Sequence, residues 1–226
     1  MRITVGQLRA LIREAVQEMN PELRPDCDTF AVFDFDETLA LTDSKILVVD
    51  DDGNEIKSLT PSEYAVYMAE PGENFDFSEF DIVKGGKATP LAKAVLARHV
   101  AQCGAGAAAI LTARDVAAEE PIRQFFASMN PKIAIQTIDA VGTSNPQAKV
   151  NKIIGYINSY NPKVLHFFED SPKNLEAVRQ AAKTNPVFQS PTIVLHTMKD
   201  GVYVRGEEVE YEGPSVTTAP QDSNHI

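Results

Sequence analysis

Helices laid on both faces of a mostly parallel β-sheet is the architecture this sequence predicts, and three observations carry it. Short apolar runs recur at Phe30–Phe33, Ala107–Leu111, Lys163–Phe168 and Pro191–Thr197. Such runs indicate strands buried on both faces. Stretches with helical spacing separate them: Leu91–Cys103, Val116–Met129 and Pro146–Tyr160. Strands alternating with such stretches indicate βαβ units. Polar residues collect where the strands stop, as Asp34-Phe35-Asp36-Glu37-Thr38, Thr112-Ala113-Arg114 and Glu169-Asp170. In an open α/β sheet that edge is where ligands bind.

Taken in order, Met1–Met19 reads as an amphipathic helix. Ile3, Val5, Leu8, Leu11, Ile12, Val16 and Met19 recur at roughly helical spacing, and Thr4 with Gln7 gives a capping-box signal. Asn20-Pro21 and Arg24-Pro25 break the pattern, which sets residues 1–25 apart from a main domain at 26–212. Packing on that domain is the simplest role for this helix; self-association and docking to a partner are the others. Arg2, Arg9 and Arg13 are mixed with Glu14 and Glu18, which does not suit a membrane-surface helix.

Asp43–Pro90 separates the first strand from the next helix and reads as an insert. Ile46-Leu47-Val48-Val49, followed by Asp51-Asp52-Gly53-Asn54, predicts a hairpin. Thr60-Pro61-Ser62-Glu63 opens a short helix running to Met68, with Pro61 at its first position. Glu70–Asp81 is acidic and irregular. Its Phe75, Phe77 and Phe80 stand among Glu73, Asp76, Glu79 and Asp81, which suits loop anchors better than a platform for stacking bases.

Beyond the insert, Gly104 and Gly106 end the Leu91–Cys103 helix, and Ala107–Leu111 is the next strand. Lys132–Ile138 alternates as a strand. Val150, Ile153, Ile154 and Ile157 face inward on the Pro146–Tyr160 helix. Lys199-Asp200-Gly201 turns a hairpin into Val202–Arg205. Residues 213–226 are polar and Pro-containing, the composition of a disordered tail.

The chain has 226 residues, 43% of them hydrophobic, enough for one α/β domain with an insertion. No apolar run approaches the roughly 20 residues of a membrane span, and the first residues lack a signal-peptide core. Cys27 and Cys103 are too few for a disulfide framework and lack metal spacing. They read as reduced thiols of a cytoplasmic protein. The net charge of −11 disfavours nucleic acid as a partner, although a local basic patch is compatible with it.

The chemistry follows from residue type. Two carboxylates about 4 Å apart repel by roughly 4 kcal/mol at an effective dielectric of about 20, and a hard cation relieves this. An all-oxygen ligand set with no thiolate or imidazole favours Mg²⁺ over zinc. A carboxylate beside Mg²⁺ can attack phosphorus, and a second can serve as general acid and then base.

Together, Asp34/Asp36/Thr38, Thr112, Lys149 or Lys152, and Asp170 with Asn174 resemble, in order, the four motifs of the haloacid dehalogenase (HAD) superfamily of phosphohydrolases, over roughly residues 30–197. The resemblance implies a Rossmann-like three-layer sandwich whose insert is a small flap over a fairly open site. It implies Asp34 as nucleophile, Asp36 as acid/base, Thr112 and a lysine on the phosphate, and Mg²⁺ held by Asp34, Asp170 and the Asp36 carbonyl. Glu169 through water, and Asn174, complete the metal set. Thr38 and Arg114 would face the substrate. Lys149 fits the lysine position best by its distance ahead of Ile153; Lys152 is the alternative, the other being a surface lysine. The substrate would be a phosphomonoester, as a small molecule or an exposed macromolecular end. A polynucleotide-end phosphatase and a non-catalytic binding protein on the same scaffold are the rival readings.

Overall fold

A computed structural model describes residues 27–64, 67–130 and 132–213. The expected N-terminal helix and C-terminal tail lie outside the described residues. β1 (Thr29–Phe33) is followed by β2 (Ala40–Leu41), then by β3 (Ile46–Val49) and β4 (Glu55–Leu59), the expected hairpin. Next come α1 (Pro61–Tyr64), β5 (Asn74–Asp76) and β6 (Lys87–Ala88). A π-helical turn at Ala92–Leu96 runs into α2 (Ala97–Cys103), which leads to β7 (Ala108–Thr112). Then follow α3 (Glu119–Ser128), β8 (Thr137–Ala140), α4 (Pro146–Tyr160), β9 (Val164–Glu169), α5 (Pro172–Thr184), β10 (Thr192–Lys199) and β11 (Val202–Val209).

The main sheet has the order β11-β10-β9-β1-β7-β8. Every pairing in it is parallel except β10 with β11. The fold is therefore a mixed α/β sandwich around a mostly parallel sheet. β1 lies at its centre, and Phe30, Val32 and Phe33 are fully buried there. Alternation along β1 divides the core. Phe30 and Val32 join Val150, Ile153, Leu165 and Phe167 on one face. Ala31 and Phe33 join Leu96, Ile110, Ile122 and Phe126 on the other. Parallel register brings the ends of β1, β7 and β9 to one edge: Phe33 is level with Ile110 and with Phe168.

Local signals set the element ends. Asn145 accepts a hydrogen bond from the Gln147 N–H and Pro146 opens α4, while Asn161, in the left-handed region at φ 44°, closes it. Thr60 and Glu63 form the reciprocal capping box of α1. That helix ends at Tyr64, short of the expected Met68, since Tyr67 and Met68 are not helical.

Three expectations are corrected. The strand expected at Lys132–Ile138 is β8, at Thr137–Ala140; Ile133 and Ile135 are buried without being in a strand, so their apolar alternation reports burial alone. The acidic stretch expected to be irregular contributes β5, which pairs with β3 to make the insert a three-stranded antiparallel sheet. Cys27 and Cys103 are not reduced thiols: they form a disulfide across a separation of 76 residues. The start of β1 and the end of α2 meet, and their Cα atoms stand 5.3 Å apart, a proximity that spacing along the chain does not reveal. The disulfide removes the support that free thiols gave to a cytoplasmic location. No helix among the described residues is long and apolar enough to cross a membrane.

Candidate active site

Asp34 is the residue after β1, 95% buried from solvent with 5% exposure, and its N–H donates to the Phe168 carbonyl at 2.9 Å. That bond is the last rung between β1 and β9, and it carries Asp34 to the side of Glu169 and Asp170. The Lys149 ammonium, from the first turns of α4, donates to Asp34 Oδ1 at 2.6 Å and to Glu169 Oε2 at 2.7 Å. Glu169 Oε1 accepts from the Ser171 N–H at 3.1 Å. Asp34, Glu169 and Asp170 each place a carboxylate oxygen within 4.8 Å of the other two.

One ammonium, paired with two of them, stands among three carboxylates, and the electrostatics follow from that imbalance. Burial disfavours the charged form of Lys149, but the attraction of Asp34 and Glu169 overrides it and pushes its pKa upward. Burial, with repulsion from Glu169 and Asp36, outweighs Lys149 at Asp34 and raises it to about 7. Asp170, without an ion-pair partner among the described residues, is pushed up to about 9, by burial first and then by Asp34, Glu169 and Glu37. A buried group of carboxylates with excess negative charge fits a bound cation, which would replace protons as the neutralising charge.

The structure places the remaining sequence candidates in different surroundings. Thr112 ends β7 and is buried; its hydroxyl accepts from the Arg114 N–H at 3.3 Å. Arg114, expected to face substrate, is 4% exposed and turned inward. Its Nε and Nη2 hold both oxygens of Asp36, at 2.8 and 2.7 Å. Its Nη1 holds the carbonyls of Phe80 and Ile82, and Nη2 also reaches the Thr42 hydroxyl. All five guanidinium N–H groups therefore have protein acceptors, which leaves none for substrate. Phe35 and Phe80 flank the guanidinium, about 5 Å from its centre. Asp36 thus stands apart from the three-carboxylate group, held by Arg114 and by the Thr42 hydroxyl at 3.1 Å.

Lys152 is not brought to the site. One helical step from i to i+3 rotates it about 60° off the line of Lys149, and it reaches the half-buried Asp139 of β8 instead. Thr38, also expected at the substrate, is fully buried, and its hydroxyl has no hydrogen-bond partner among the described residues. Asn174 sits half-buried in the first turn of α5 and is not in the carboxylate group.

Several groups at this edge had no signal in the sequence. Thr42, and the carbonyls of Phe80 and Ile82, enter only through Arg114. Glu37 adopts a positive φ of 55°, and its carbonyl accepts from the Gly201 N–H at 2.6 Å, tying the β10–β11 turn to the loop after β1. Gly201 is required there: it has φ +75°, and a Cβ would lie 2.5 Å from Thr89 Cγ2.

Comparison with protein-family models, curated proteins and solved structures finds no match for this chain. The site is therefore read from its own chemistry. A buried carboxylate, a lysine against it and two further carboxylates at adjacent strand ends can hold a divalent cation and present one carboxylate oxygen to an electrophile.

Proposed function

We propose that this chain is a Mg²⁺-dependent phosphomonoesterase of the haloacid dehalogenase type. The observation that supports it most is the meeting of Asp34, Lys149, Glu169 and Asp170 at one sheet edge, from three separate segments. Asp34, Glu169 and Asp170 would hold the ion; an all-oxygen set suits Mg²⁺. When bound, the ion withdraws charge from the phosphoryl oxygens and lets an anionic carboxylate approach them.

The chain's own residues supply the rest. Lys149 keeps Asp34 oriented and offsets its charge, so that the free oxygen is presented as the nucleophile. Attack forms an aspartyl-phosphate bond as the phosphorus–leaving-oxygen bond breaks. Asp36 gives its proton to that oxygen, then takes one from the water that hydrolyses the acyl phosphate. In the arrangement seen, both Asp36 oxygens face Arg114. Held so, Asp36 can act as base through the lone pairs left free, and as acid only after swinging away from the guanidinium and taking up a proton. Arg114 also holds the insert at Phe80 and Ile82. It therefore links the position of the insert to that of the acid/base group, as a positioning residue. Thr112 stands at the same sheet edge, two residues beyond the Ile110 that is level with Phe33, and would hold a phosphate oxygen through its hydroxyl.

The test is hydrolysis of a panel of phosphomonoesters, including nucleotides and 3′- and 5′-phosphorylated oligonucleotides, by the full chain with Mg²⁺. Asp34→Asn is expected to abolish turnover while the fold is kept. Mg²⁺-dependent hydrolysis surviving in that variant refutes the nucleophile assignment.

A further inference from the structure

The two faces of the main sheet are covered unequally. Under α4 and α5, Leu165 and Phe167 of β9 and Ile193 and Leu195 of β10 are at most 1% exposed. On the opposite face the same strands show Val164, His166, Thr192, Val194 and His196, all only half-buried, and Tyr203 of β11 is 52% exposed. The π-helical turn, α2 and α3 cover that face over β1, β7 and β8; towards the carboxyl ends of β9 and β10, Phe168 and Met198 are buried in the same cluster, and no described helix covers the rest of β9, β10 and β11. A cavity of about 430 Å³ lies along the boundary, lined by Thr29, Val95, His99, His166 and His196 among others. His166 Nδ1 and His196 Nε2 share a hydrogen bond at 2.8 Å, and His196 Nδ1 is buried with no partner among the described residues. A half-covered sheet face with an unmet polar atom calls for one more layer.

We propose that residues 3–19 of this same chain dock on that face and complete the third layer. Where the segment joins the domain supports this occupant over others. A short connection of residues 20–26 joins it to Cys27, which is bonded to Cys103 beside Gln102, and Thr29 follows two residues on; Gln102 and Thr29 both line the cavity. The chain therefore enters the domain at the rim of the uncovered face, fixed there by a covalent bond. Reach is sufficient. Seventeen helical residues span about 25 Å, whereas β1 to β11 is three strand spacings, about 14 Å. The apolar positions Leu8, Leu11, Ile12 and Val16 form a stripe one helix face wide. A lone helix of this length is marginal in water, so the stripe needs an apolar surface to be stable. Tethering makes the domain's own face the surface at highest effective concentration.

Two measurements on the full chain test this. Hydrogen exchange followed by mass spectrometry is expected to find residues 8–19 protected at least tenfold over the random-coil rate, equally at low and high protein concentration. Diethyl pyrocarbonate is expected to label His166 and His196 slowly in the natural chain. In a Leu8→Glu/Leu11→Glu/Ile12→Glu variant it is expected to label them at least severalfold faster, with the variant's folding checked by circular dichroism. Random-coil exchange of residues 8–19, or equal histidine labelling in the two proteins, overturns the proposal. Protection that grows with concentration, alongside a doubling of mass in light scattering, also overturns it, because a second copy is then the occupant. The exchange measurement needs no variant, so loss of folding in the triple variant does not leave the question open.

Discussion

Replacing Lys149 with methionine isolates the electrostatic claim on which the site reading rests. Lys149 is 2% exposed and bridges Asp34 and Glu169 at 2.6 and 2.7 Å. Methionine keeps most of its volume and removes its charge. Breaking a buried ion pair from one side costs about 3–5 kcal/mol, because the partner charge stays behind. The stranded carboxylates limit that cost by taking up a proton. For a group with an ordinary pKa near 4, this costs about 4 kcal/mol at pH 7 and about 2 kcal/mol at pH 5.5. The sign follows from proton counting. The variant's native state binds one proton more than the natural protein's native state does, while the carboxylates of the two unfolded chains are alike, so the deficit grows as pH rises, by about 1.4 kcal/mol per unit. Urea denaturation of both proteins at pH 5.5 and 7 is expected to give a deficit near 4 kcal/mol at the higher pH and about half that at the lower. A deficit independent of pH, or one below about 1 kcal/mol at pH 7, refutes the picture of one ammonium holding a surplus of buried carboxylates.

Three further outcomes follow. With Asp34 raised to about 7 and Asp170 to about 9, the metal-free native state holds protons that the unfolded chain releases near pH 4. Its melting temperature is therefore expected to fall between pH 5 and 8, and Mg²⁺ to restore it at pH 8; calorimetry in buffers of different ionisation enthalpy should detect protons released on binding. Arg114→Ala is expected to destabilise the protein by about 3 kcal/mol, the lower end for a buried pair because the Asp36 side chain keeps 22% exposure. Phosphatase turnover should fall at least tenfold in that variant, and Arg114→Lys should recover stability better than turnover, since lysine cannot hold both oxygens of Asp36. Cys103→Ser opens a loop spanning 76 residues of sequence separation. It is expected to cost about 2–4 kcal/mol, to be matched by reductant acting on the natural chain, and to be measured by the denaturation midpoint.

Much of the framework was legible in the chain. β1 and β7 are apolar at all but one position, the pattern of double-sided burial, whereas β9 and β10 alternate buried and half-buried positions over much of their length. The carboxylates and the threonine at their ends stood out because a polar residue ending such a run has no structural reason to be there. β8 was displaced because Ile133 and Ile135 are buried without strand pairing, and the apolar pattern reports burial, not hydrogen bonding. β5 was not legible because a three-residue strand in an acidic stretch is defined by its partner, Val48, and not by its own composition.

What the sequence determined alone was therefore local: which runs must leave water, where helices start and stop, and which side chains stand at the strand ends. Tertiary structure decided every question of partnership. It put Lys149 rather than Lys152 against Asp34, turned Arg114 from the substrate to Asp36, left Thr38 buried, and joined Cys27 to Cys103. Burial depends on a residue's own chemistry and can be read position by position. A contact between groups dozens of residues apart depends on register, helix rotation and loop path, which only the assembled chain fixes.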